Sequence, residues 1–310
     1  MIFLQILLLV VGFAMLVKGA DWFVEGTAGI ASKFGIPQLV VGLTIVAMGT
    51  SAPEAAVSIT AALKGTADIA IGNVVGSNIL NILIILGLTG LITNVAVQKS
   101  TLVAEIPFML LVTVVLIVMG MFGNSVGLVE AIILWLLFIV YLGYLFVLAK
   151  KGAQNEEDKK EERSTWKLLL FAIVGGVIVV WGSDITVDAA TNIAKTVGLS
   201  ERFIGLTIVA LGTSLPELVT SVTAARKGNA DIAIGNIVGS NIFNILFVIG
   251  TSALIIPVTY APSFLIDGII AVVAGIILWV ATFRKKELTR PWGIFMLICY
   301  AAYFVYLLLI

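Results

Sequence analysis

Histidine is absent from this 310-residue sequence, and cysteine occurs once, as Cys299. The first absence excludes imidazole catalysis and histidine metal ligation, and the second excludes a disulfide within the chain. Charged residues make up only 12% of the chain, and the formal net charge is zero, so no basic surface for nucleic acid is indicated. With 60% hydrophobic residues and a mean hydropathy of +1.16, the sequence predicts a polytopic helical membrane protein.

Ten apolar runs are each long enough to cross a bilayer, which predicts an all-α membrane protein with ten transmembrane helices. Only residues 150–165, which are rich in lysine and glutamate, resemble a linker. They separate a first transmembrane repeat at 1–149 from a second at 166–310. The predicted spans are Ile2–Lys33, Gln38–Lys64, Asp68–Leu91, Leu102–Met121, Ser125–Ala149, Trp166–Lys195, Arg202–Lys227, Asp231–Ile256, Pro262–Phe283 and Pro291–Ile310.

One long segment occurs twice in the chain. Of the 46 positions from Gly42 to Gly87, 13 differ from the segment Gly205 to Gly250, which leaves 33 identical at an offset of 163. Five predicted spans separate equivalent points, and because five is odd, the two halves are expected to have opposite orientations in the membrane. Matches at the same offset extend to the first helix of each half: Gly12 with Gly175, Gly19 with Gly182, Asp21 with Asp184, and Gly35 with Gly198.

The distribution of basic residues predicts the orientation of the chain. With the N-terminus outside, 14 of the 18 lysines and arginines lie on the inner side, including the linker residues and Lys33, Lys99, Arg226 and Lys227. We therefore expect an integral protein of the cell membrane with both termini outside and the linker in the cytoplasm. The expected surroundings are the lipid bilayer, and neither nucleic acid nor a protein partner is indicated.

The repeated motif Gly-Thr-Ser-x-Pro-Glu, at 49–54 and 212–217, places a carboxylate in apolar sequence beside a helix-breaking proline. Pro53 deprives the Gly49 carbonyl of its usual donor. Within a membrane, such irregular backbone persists only where it is buried in protein or lines a wet cavity. Thr50, Glu54 and Ser58 follow at intervals of four and form one polar stripe. Carbonyl, hydroxyl and carboxylate oxygens together are typical ligands of hard cations.

A second repeated motif, at 72–81 and 235–244, carries asparagines, a serine and two glycines. Asn73, Ser77 and Asn81 share one helical face, and the glycines allow another helix to approach closely. Asn78 points elsewhere, where it is expected to bridge helices. For Asn73 and Asn78, and for Asn236 and Asn241 in the second copy, packing between helices and binding of a ligand remain alternatives.

Two unpaired carboxylates, Glu54 and Glu217, are expected to face each other where the two repeats meet. Without a basic residue in either motif they would repel each other unless a cation or proton lay between them, so a functional role is predicted. Glu105, Glu130 and Asp267 have no acidic counterpart at the offset of 163 and are interpreted as interfacial or helix-start charges. Paired acidic residues near the span ends, among them Asp21 and Asp184 and also Glu25 and Asp188, are interpreted as structural.

The doubled motifs, in two inverted five-helix halves, resemble those of the sodium/calcium exchangers of the calcium/cation antiporter superfamily over essentially the whole chain. The resemblance implies a ten-helix antiporter, not an enzyme, in which two long helices slide against a core of eight. Ca²⁺ and Na⁺ would be the transported ions, with no cofactor. It implies a calcium site of Glu54, Glu217 and the carbonyls of Thr50 and Thr213, further sodium ligands at Ala47, Ser51, Ser77, Ala210, Ser214 and Ser240, and a remaining central pair, Asn81 and Asn244.

One departure from the family concerns Asn244, where its members often have aspartate. Two carboxylates neutralise one Ca²⁺ or two Na⁺, so the exchange stoichiometry and the participation of K⁺ stay open. Proton/calcium exchangers of the superfamily tend to have Gly-Asn-x-x-Glu at the first motif, so the sequence favours sodium coupling, with H⁺/Ca²⁺ antiport as the alternative. A channel is disfavoured because the sequence lacks a pore-loop signature. An intramembrane hydrolase would need a nucleophile with a base or paired aspartates, and it is disfavoured because the chain has no histidine and its glutamates lie in binding-like surroundings.

Overall fold

The structure, a computed structural model, describes residues 2–65, 68–152, 163–198 and 210–309. These residues are almost entirely helical, and eight of their helices are long and apolar enough to cross a membrane. In chain order the helices are α1 (Ile2–Phe34), α2 (Gln38–Thr50), α3 (Ala52–Leu63), α4 (Ile69–Ile92), α5 (Thr101–Met121), α6 (Leu128–Lys151), α7 (Thr165–Thr196), α8 (Ala210–Thr213), α9 (Leu215–Arg226), α10 (Ala230–Ile255), α11 (Phe264–Phe283) and α12 (Arg290–Leu309).

Helices α2 and α3 together form one further candidate span, bent by 50°. Their counterparts in the second half are α8 and α9, but residues 199–209, which include the start of the predicted seventh span, lie outside the described residues. The chain is thus an integral membrane protein with eight continuous candidate spans and one bent one in its described part. Most of the predicted linker, residues 153–162, also lies outside the described residues.

The two long helices, α1 and α7, pack against each other along most of their length and run antiparallel. Glycines allow this close approach, because a methyl group at Gly19 would lie 3.0 Å from the Gly175 carbonyl oxygen. A methyl group at Gly12 would lie 3.0 Å from the Gly182 carbonyl oxygen. The glycines that the repeat relates to each other therefore form one shared helix–helix contact.

Helix α10 lies at the centre of the core, and α2 crosses it at its glycines. A methyl group at Gly235 would lie 3.0 Å from the Leu39 carbonyl oxygen, and one at Gly239 would lie 2.8 Å from the Leu43 carbonyl oxygen. The predicted close approach at the second copy of this glycine pair is confirmed. Because backbones touch here, polar groups of α2 and α10 come within hydrogen-bonding reach of each other.

Two antiparallel strand pairs join the halves outside the helices. β1 (Val95–Ala96) pairs with β4 (Glu287–Leu288), and β2 (Ser125–Val126) pairs with β3 (Val258–Thr259). β1 and β3 match at the offset of 163, whereas β2 and β4 match at 162. Asn124 and Lys286, which precede β2 and β4, both have φ of 53° and also match at 162. The second half therefore has one residue fewer between its β3 and β4, and the difference lies within the intervening helix, because α5 contains a π-helical segment at Thr101–Glu105 and α11 is α-helical throughout.

This one-residue shift corrects the interpretation of Glu105. At the offset of 162 its counterpart is Asp267, so the two acids are paired by the repeat after all. Glu105 is only 1% exposed and accepts a hydrogen bond from the Tyr144 hydroxyl, and Asp267 accepts one from Tyr303 at 3.0 Å. Glu105 does lie near the start of α5, as the helix-start interpretation expects, but its side chain is buried against α6. Glu130 does begin a helix, since its carboxylate accepts from the Gly127 backbone N–H at 3.0 Å.

One end of the molecule carries a cluster of ion pairs between α1 and the second half. The Lys227 ammonium, directly after α9, lies 2.5 Å from Asp21 Oδ1 and 3.9 Å from Glu25 Oε2. Arg163 pairs with Glu25 as well, and the Lys33 ammonium donates to the Arg163 carbonyl. All three basic residues were predicted to lie on the same side of the membrane, and the structure places them at the same end of the molecule.

The opposite end has the equivalent residues without the equivalent contacts. Lys64, Asp184 and Asp188 match Lys227, Asp21 and Glu25 at the offset of 163. Within the described ranges, none of these three side chains makes a hydrogen bond or ion pair, and all three residues are exposed. The two ends of the molecule therefore differ in conformation even though their sequences match.

Candidate cation site

The helix of each Gly-Thr-Ser-x-Pro-Glu motif is interrupted at its serine. Ser51 separates α2 from α3 with φ of −81° and ψ of 9°, and Ser214 separates α8 from α9 with φ of −93° and ψ of 8°. Pro53 and Pro216 then lie in the first turn of the new helix, where the missing N–H leaves no hydrogen bond unmade. The predicted break is confirmed in both halves, and each motif glutamate lies in the turn directly after it.

The two glutamate carboxylates are held by serines of the opposite half. The Ser51 hydroxyl donates to Glu217 Oε1 at 2.8 Å, and the Ser214 hydroxyl donates to Glu54 Oε1 at 3.1 Å. Both glutamates are 0% exposed. Neither takes part in an ion pair with a basic side chain of the described chain. The reciprocal bonds place two buried carboxylates side by side at the junction of the two helix breaks.

Asn81 and Asn244 complete the centre. Each is the first residue of a π-helical segment, Asn81–Leu86 in α4 and Asn244–Ile249 in α10. Helix α3 packs on the segment that begins at Asn244, and α9 packs on the segment that begins at Asn81. Such π segments are frequent at functional sites, because they re-aim side chains without ending the helix. Each glutamate-bearing helix thus lies against an asparagine of the other half.

Four buried oxygen atoms at this centre accept no hydrogen bond from any group in the described part of the chain. They are Glu54 Oε2, Glu217 Oε2, Asn81 Oδ1 and Asn244 Oδ1. A buried acceptor left without a donor costs about 1–3 kcal/mol. All four are acceptors, so what the centre lacks is a cation, a proton or a hydrogen-bond donor rather than another acceptor. Carboxylate and amide oxygens are the ligands that hard cations prefer, and the arrangement can bind such an ion.

Asn73 and Asn236 both make hydrogen bonds between helices, as the packing alternative predicts. Asn73 Nδ2 donates to the Glu54 carbonyl at 3.1 Å and to the Ser58 hydroxyl at 2.9 Å. Asn236 Nδ2 makes the same two bonds in its own half, to the Glu217 carbonyl at 3.4 Å and the Ser221 hydroxyl at 2.9 Å. Both amides tie a glutamate-bearing helix to the following helix of its own half.

The other predicted ligands lie around the same centre. The Ser240 hydroxyl donates to the Ala47 carbonyl at 3.4 Å, which joins two of them across the halves. The Thr50 hydroxyl lies 2.9 Å from Asn236 Oδ1, so its side chain faces the packing contact. Thr50, Ser51, Ser77, Ser214 and Ser240 are buried and Thr213 is half-buried, whereas the side chain of Ala210 lies outside the described residues.

Sequence reasoning missed the connection between Asn78 and Asn241. Each donates its Nδ2 to the backbone carbonyl of the other at 3.1 Å, so they do bridge helices as expected for Asn78. Their side-chain oxygens also accept from the two central asparagines. The signal available in the sequence was the recurrence of asparagine at the same place in both copies, and only the crossing of α4 and α10 gives it a partner.

The described residues contain no cluster of three or more histidine, cysteine, aspartate or glutamate side chains that could hold a metal ion. The site has instead two carboxylates and two amides, contributed equally by the two halves and buried within a helical membrane protein. This combination defines an integral membrane protein with a buried centre that can bind a cation. The centre lies beside broken helices, as in ion-coupled transporters.

The chain belongs to the sodium/calcium exchanger family. The family model described as sodium/calcium exchanger protein matches residues 4–147 and 167–309, which leaves only the linker and the extreme ends unmatched. The family consists of cation antiporters that exchange Ca²⁺, and this chain shares its architecture across both halves.

Similar proteins of known sequence or structure support the assignment. The sodium/calcium exchanger MaX1 of Methanosarcina acetivorans is 32% identical, with 99% of each chain covered. The inner membrane protein YrbG of Escherichia coli is 38% identical, with 88% of each chain covered. Among solved structures, the sodium-calcium exchanger NCX_Mj in zero Na⁺ and Ca²⁺ superposes with a TM-score of 0.86 at 31% identity, covering 99% of this chain and 100% of that one.

Proposed function

We propose that the protein exchanges Ca²⁺ for Na⁺ across the cell membrane by alternating access. The observation that carries the proposal is the set of four buried oxygens that accept no hydrogen bond within the described chain. Two of them belong to the buried carboxylates of Glu54 and Glu217. Ca²⁺ and Na⁺ compete for this set. A site neutralised by an ion can face either side, whereas two bare carboxylates cannot cross an apolar barrier cheaply, so ion movement in one direction is tied to ion movement in the other.

The transport mechanism rests on ten helices in two inverted five-helix repeats, at 1–149 and 166–310. Antiparallel packing of α1 on α7 supports opposite orientation of the halves, as do the reciprocal bonds between each serine and the other half's glutamate. In this mechanism α1 and α7 move together against the remaining helices. The excess of lysine and arginine near one end supports an orientation with both termini outside and the linker in the cytoplasm.

Counting charge at the centre leads to a specific stoichiometry. Glu54 and Glu217 supply two negative charges, and Asn81 and Asn244 supply none. One Ca²⁺ or two Na⁺ neutralise the site. A third Na⁺ would leave a net positive charge in a buried place, where an unbalanced charge costs several kcal/mol. We therefore infer exchange of two Na⁺ for one Ca²⁺, with Ser51, Ser77, Ser214, Ser240 and the Ala47, Thr50, Ala210 and Thr213 carbonyls completing the coordination.

Relatives support the choice of ions. MaX1 is named a sodium/calcium exchanger, and NCX_Mj has been examined after soaking with Na⁺, Sr²⁺ and Ca²⁺ in varied amounts. The same ions suit the donor set of this chain, because its free ligand atoms are all oxygens.

The test is uptake of ⁴⁵Ca²⁺ into proteoliposomes loaded with Na⁺. Glu54→Gln and Glu217→Gln each remove one of the two charges and are expected to abolish uptake. Glu105→Gln is the matched control, because it makes the same change at a buried glutamate outside the site and should leave uptake intact. Wild-type uptake in either site variant would contradict the proposal.

Replacing the sodium gradient distinguishes the alternative couplings. Uptake driven by an imposed proton gradient without sodium would identify H⁺/Ca²⁺ antiport, and a requirement for K⁺ together with Na⁺ would identify a potassium-dependent exchanger. Uptake that needs Na⁺ alone is the expected result.

A further inference from the structure

Asn78 and Asn241 are two buried amides that belong to no assigned ligand set. They are 2% and 1% exposed and lie where α4 and α10 cross. Asn78 Nδ2 donates to the Asn241 carbonyl, and Asn241 Nδ2 donates to the Asn78 carbonyl, both at 3.1 Å. Because backbone carbonyls can only accept, each of these side chains must turn its NH₂ group towards the opposite helix.

The remaining atom of each amide is thereby fixed as well. With the NH₂ group committed to a carbonyl, the Oδ1 atom of Asn78 faces Asn244, and the Oδ1 atom of Asn241 faces Asn81. These oxygens accept from Asn244 Nδ2 at 3.2 Å and from Asn81 Nδ2 at 3.0 Å. The chain of donors and acceptors has a single consistent direction that begins at the two backbone carbonyls.

The same direction determines which atoms are left for an ion. Since Asn81 and Asn244 spend their NH₂ groups on Asn241 and Asn78, their Oδ1 atoms remain without a donor among the described residues. Had either amide been reversed, an NH₂ group with partial positive charge would face the two carboxylates and repel a cation. The orientation of the central amides is thus imposed from outside the site.

We propose that Asn78 and Asn241 are positioning residues that determine cation affinity by holding the amide oxygens of Asn244 and Asn81 towards the transported ion. The proposal rests on the proposed function. Orientation matters at positions 81 and 244 because an amide has one ligand oxygen and must be oriented, whereas a carboxylate has two equivalent oxygens and presents one in either orientation.

This difference between amide and carboxylate supplies the test, a double-mutant cycle between positions 78 and 244 read out by equilibrium ⁴⁵Ca²⁺ binding to purified protein. In the wild-type background Asn78→Ala is expected to weaken ⁴⁵Ca²⁺ binding by about tenfold, the change that ~1.4 kcal/mol produces. In the Asn244→Asp background the same Asn78→Ala change should leave the affinity nearly unchanged. The pair Asn241→Ala and Asn81→Asp should behave in the same way.

A purely structural role for Asn78 would weaken binding equally in both backgrounds, and that result would overturn the inference while leaving the proposed function standing. Failure of the wild-type protein to bind ⁴⁵Ca²⁺ would instead overturn the proposed function. Thr89→Val is the control for loss of a buried polar group in α4, because its hydroxyl bonds only to the Ile85 carbonyl of its own helix at 2.7 Å. The Thr89→Val variant should bind ⁴⁵Ca²⁺ as the wild type does. In flux assays, Asn78→Ala should raise KM for Ca²⁺ more than it lowers kcat.

Discussion

The two halves of the molecule make matching contacts at the centre and different contacts at the ends. At the centre, each serine–glutamate bond and each asparagine bridge has a counterpart 163 residues away. At one end, Lys227 bridges Asp21 and Glu25, and α1 packs along α9. At the other end, the equivalent Lys64 makes no such bridge in the described chain, and α7 has no comparable packing on α3.

The difference teaches that one sequence pattern here supports two conformations. If the halves were in the same conformation, Lys64 would lie beside Asp184 and Asp188 as Lys227 lies beside Asp21 and Glu25. Instead the ion pairs form at the Lys227 end, here called the fastened end, and the equivalent pairs are not formed at the Lys64 end. In a transporter built from inverted repeats, exchanging the conformations of the two halves produces the opposite-facing state at similar energy. The pair Lys64–Asp184 is therefore expected to form when the pair Lys227–Asp21 breaks.

The largest expected effect concerns the motif glycines Gly49 and Gly212, which contact the long helices α1 and α7. A methyl group at Gly212 would overlap the Val187 side chain of α7, whereas one at Gly49 would lie 3.2 Å from Phe23 Cζ of α1, a contact that a small shift relieves. Gly212→Ala should abolish sodium-driven ⁴⁵Ca²⁺ uptake, and Gly49→Ala should reduce it only severalfold, since overpacking costs about 1–3 kcal/mol where neighbours can move. Thermal unfolding of both purified variants is the control for misfolding. Equal uptake by the two would show that the long helices contact their motifs alike.

An effect of intermediate size is expected from cysteine cross-linking, which tests whether the Lys227–Asp21 and Lys64–Asp184 contacts form alternately. On a Cys299→Ser background, cysteines at 21 and 227 report the fastened end, and cysteines at 184 and 64 report the other. A short bifunctional thiol reagent should join the first pair readily without ions and should join both pairs during turnover with Na⁺ and Ca²⁺. If the 64–184 pair never cross-links under any ionic condition, the exchange of end contacts is wrong.

The smallest effect is expected from neutralising the two lysines separately. The Lys227 and Asp21 side chains are 31% and 34% exposed, so their ion pair is worth about 1 kcal/mol or less. Lys227→Gln should lower the unfolding temperature of the ion-free protein slightly, while Lys64→Gln should not. Raising the salt concentration should reduce the difference between the variants, because exposed ion pairs are screened. A larger loss for Lys64→Gln would reverse the assignment of the fastened end.

Much of the site was predictable from local sequence. A proline four residues after Gly49 breaks helical hydrogen bonding wherever the helix lies, so the interruption near Ser51 followed from covalent geometry. The burial of Glu54 and Glu217 followed from their placement in apolar sequence without a basic neighbour. The glycine cap at the end of α3 was also predictable, and Gly65 has the positive φ of 79° that such a cap adopts.

Other features depended on information that a fixed offset could not carry. The one-residue difference between the halves after β3 hid the relation of Glu105 to Asp267, and only strand pairing and the two residues with positive φ reveal it. The buried position of Glu105 also depends on the tyrosine that α6 brings to it from 39 residues away. Separation along the chain contains no record of such a contact, because helix packing rather than sequence distance creates it.

The sequence by itself determined which side chains could form a cation site and that they come in two sets, because proline, glycine and isolated carboxylates have strong local consequences in a membrane. Tertiary structure decided how the two sets meet: that each serine holds the other half's glutamate, that two backbone carbonyls orient the central amides, and that only one of two matching lysines is engaged. These outcomes depend on which helices cross and at what depth, and local preferences do not specify a crossing.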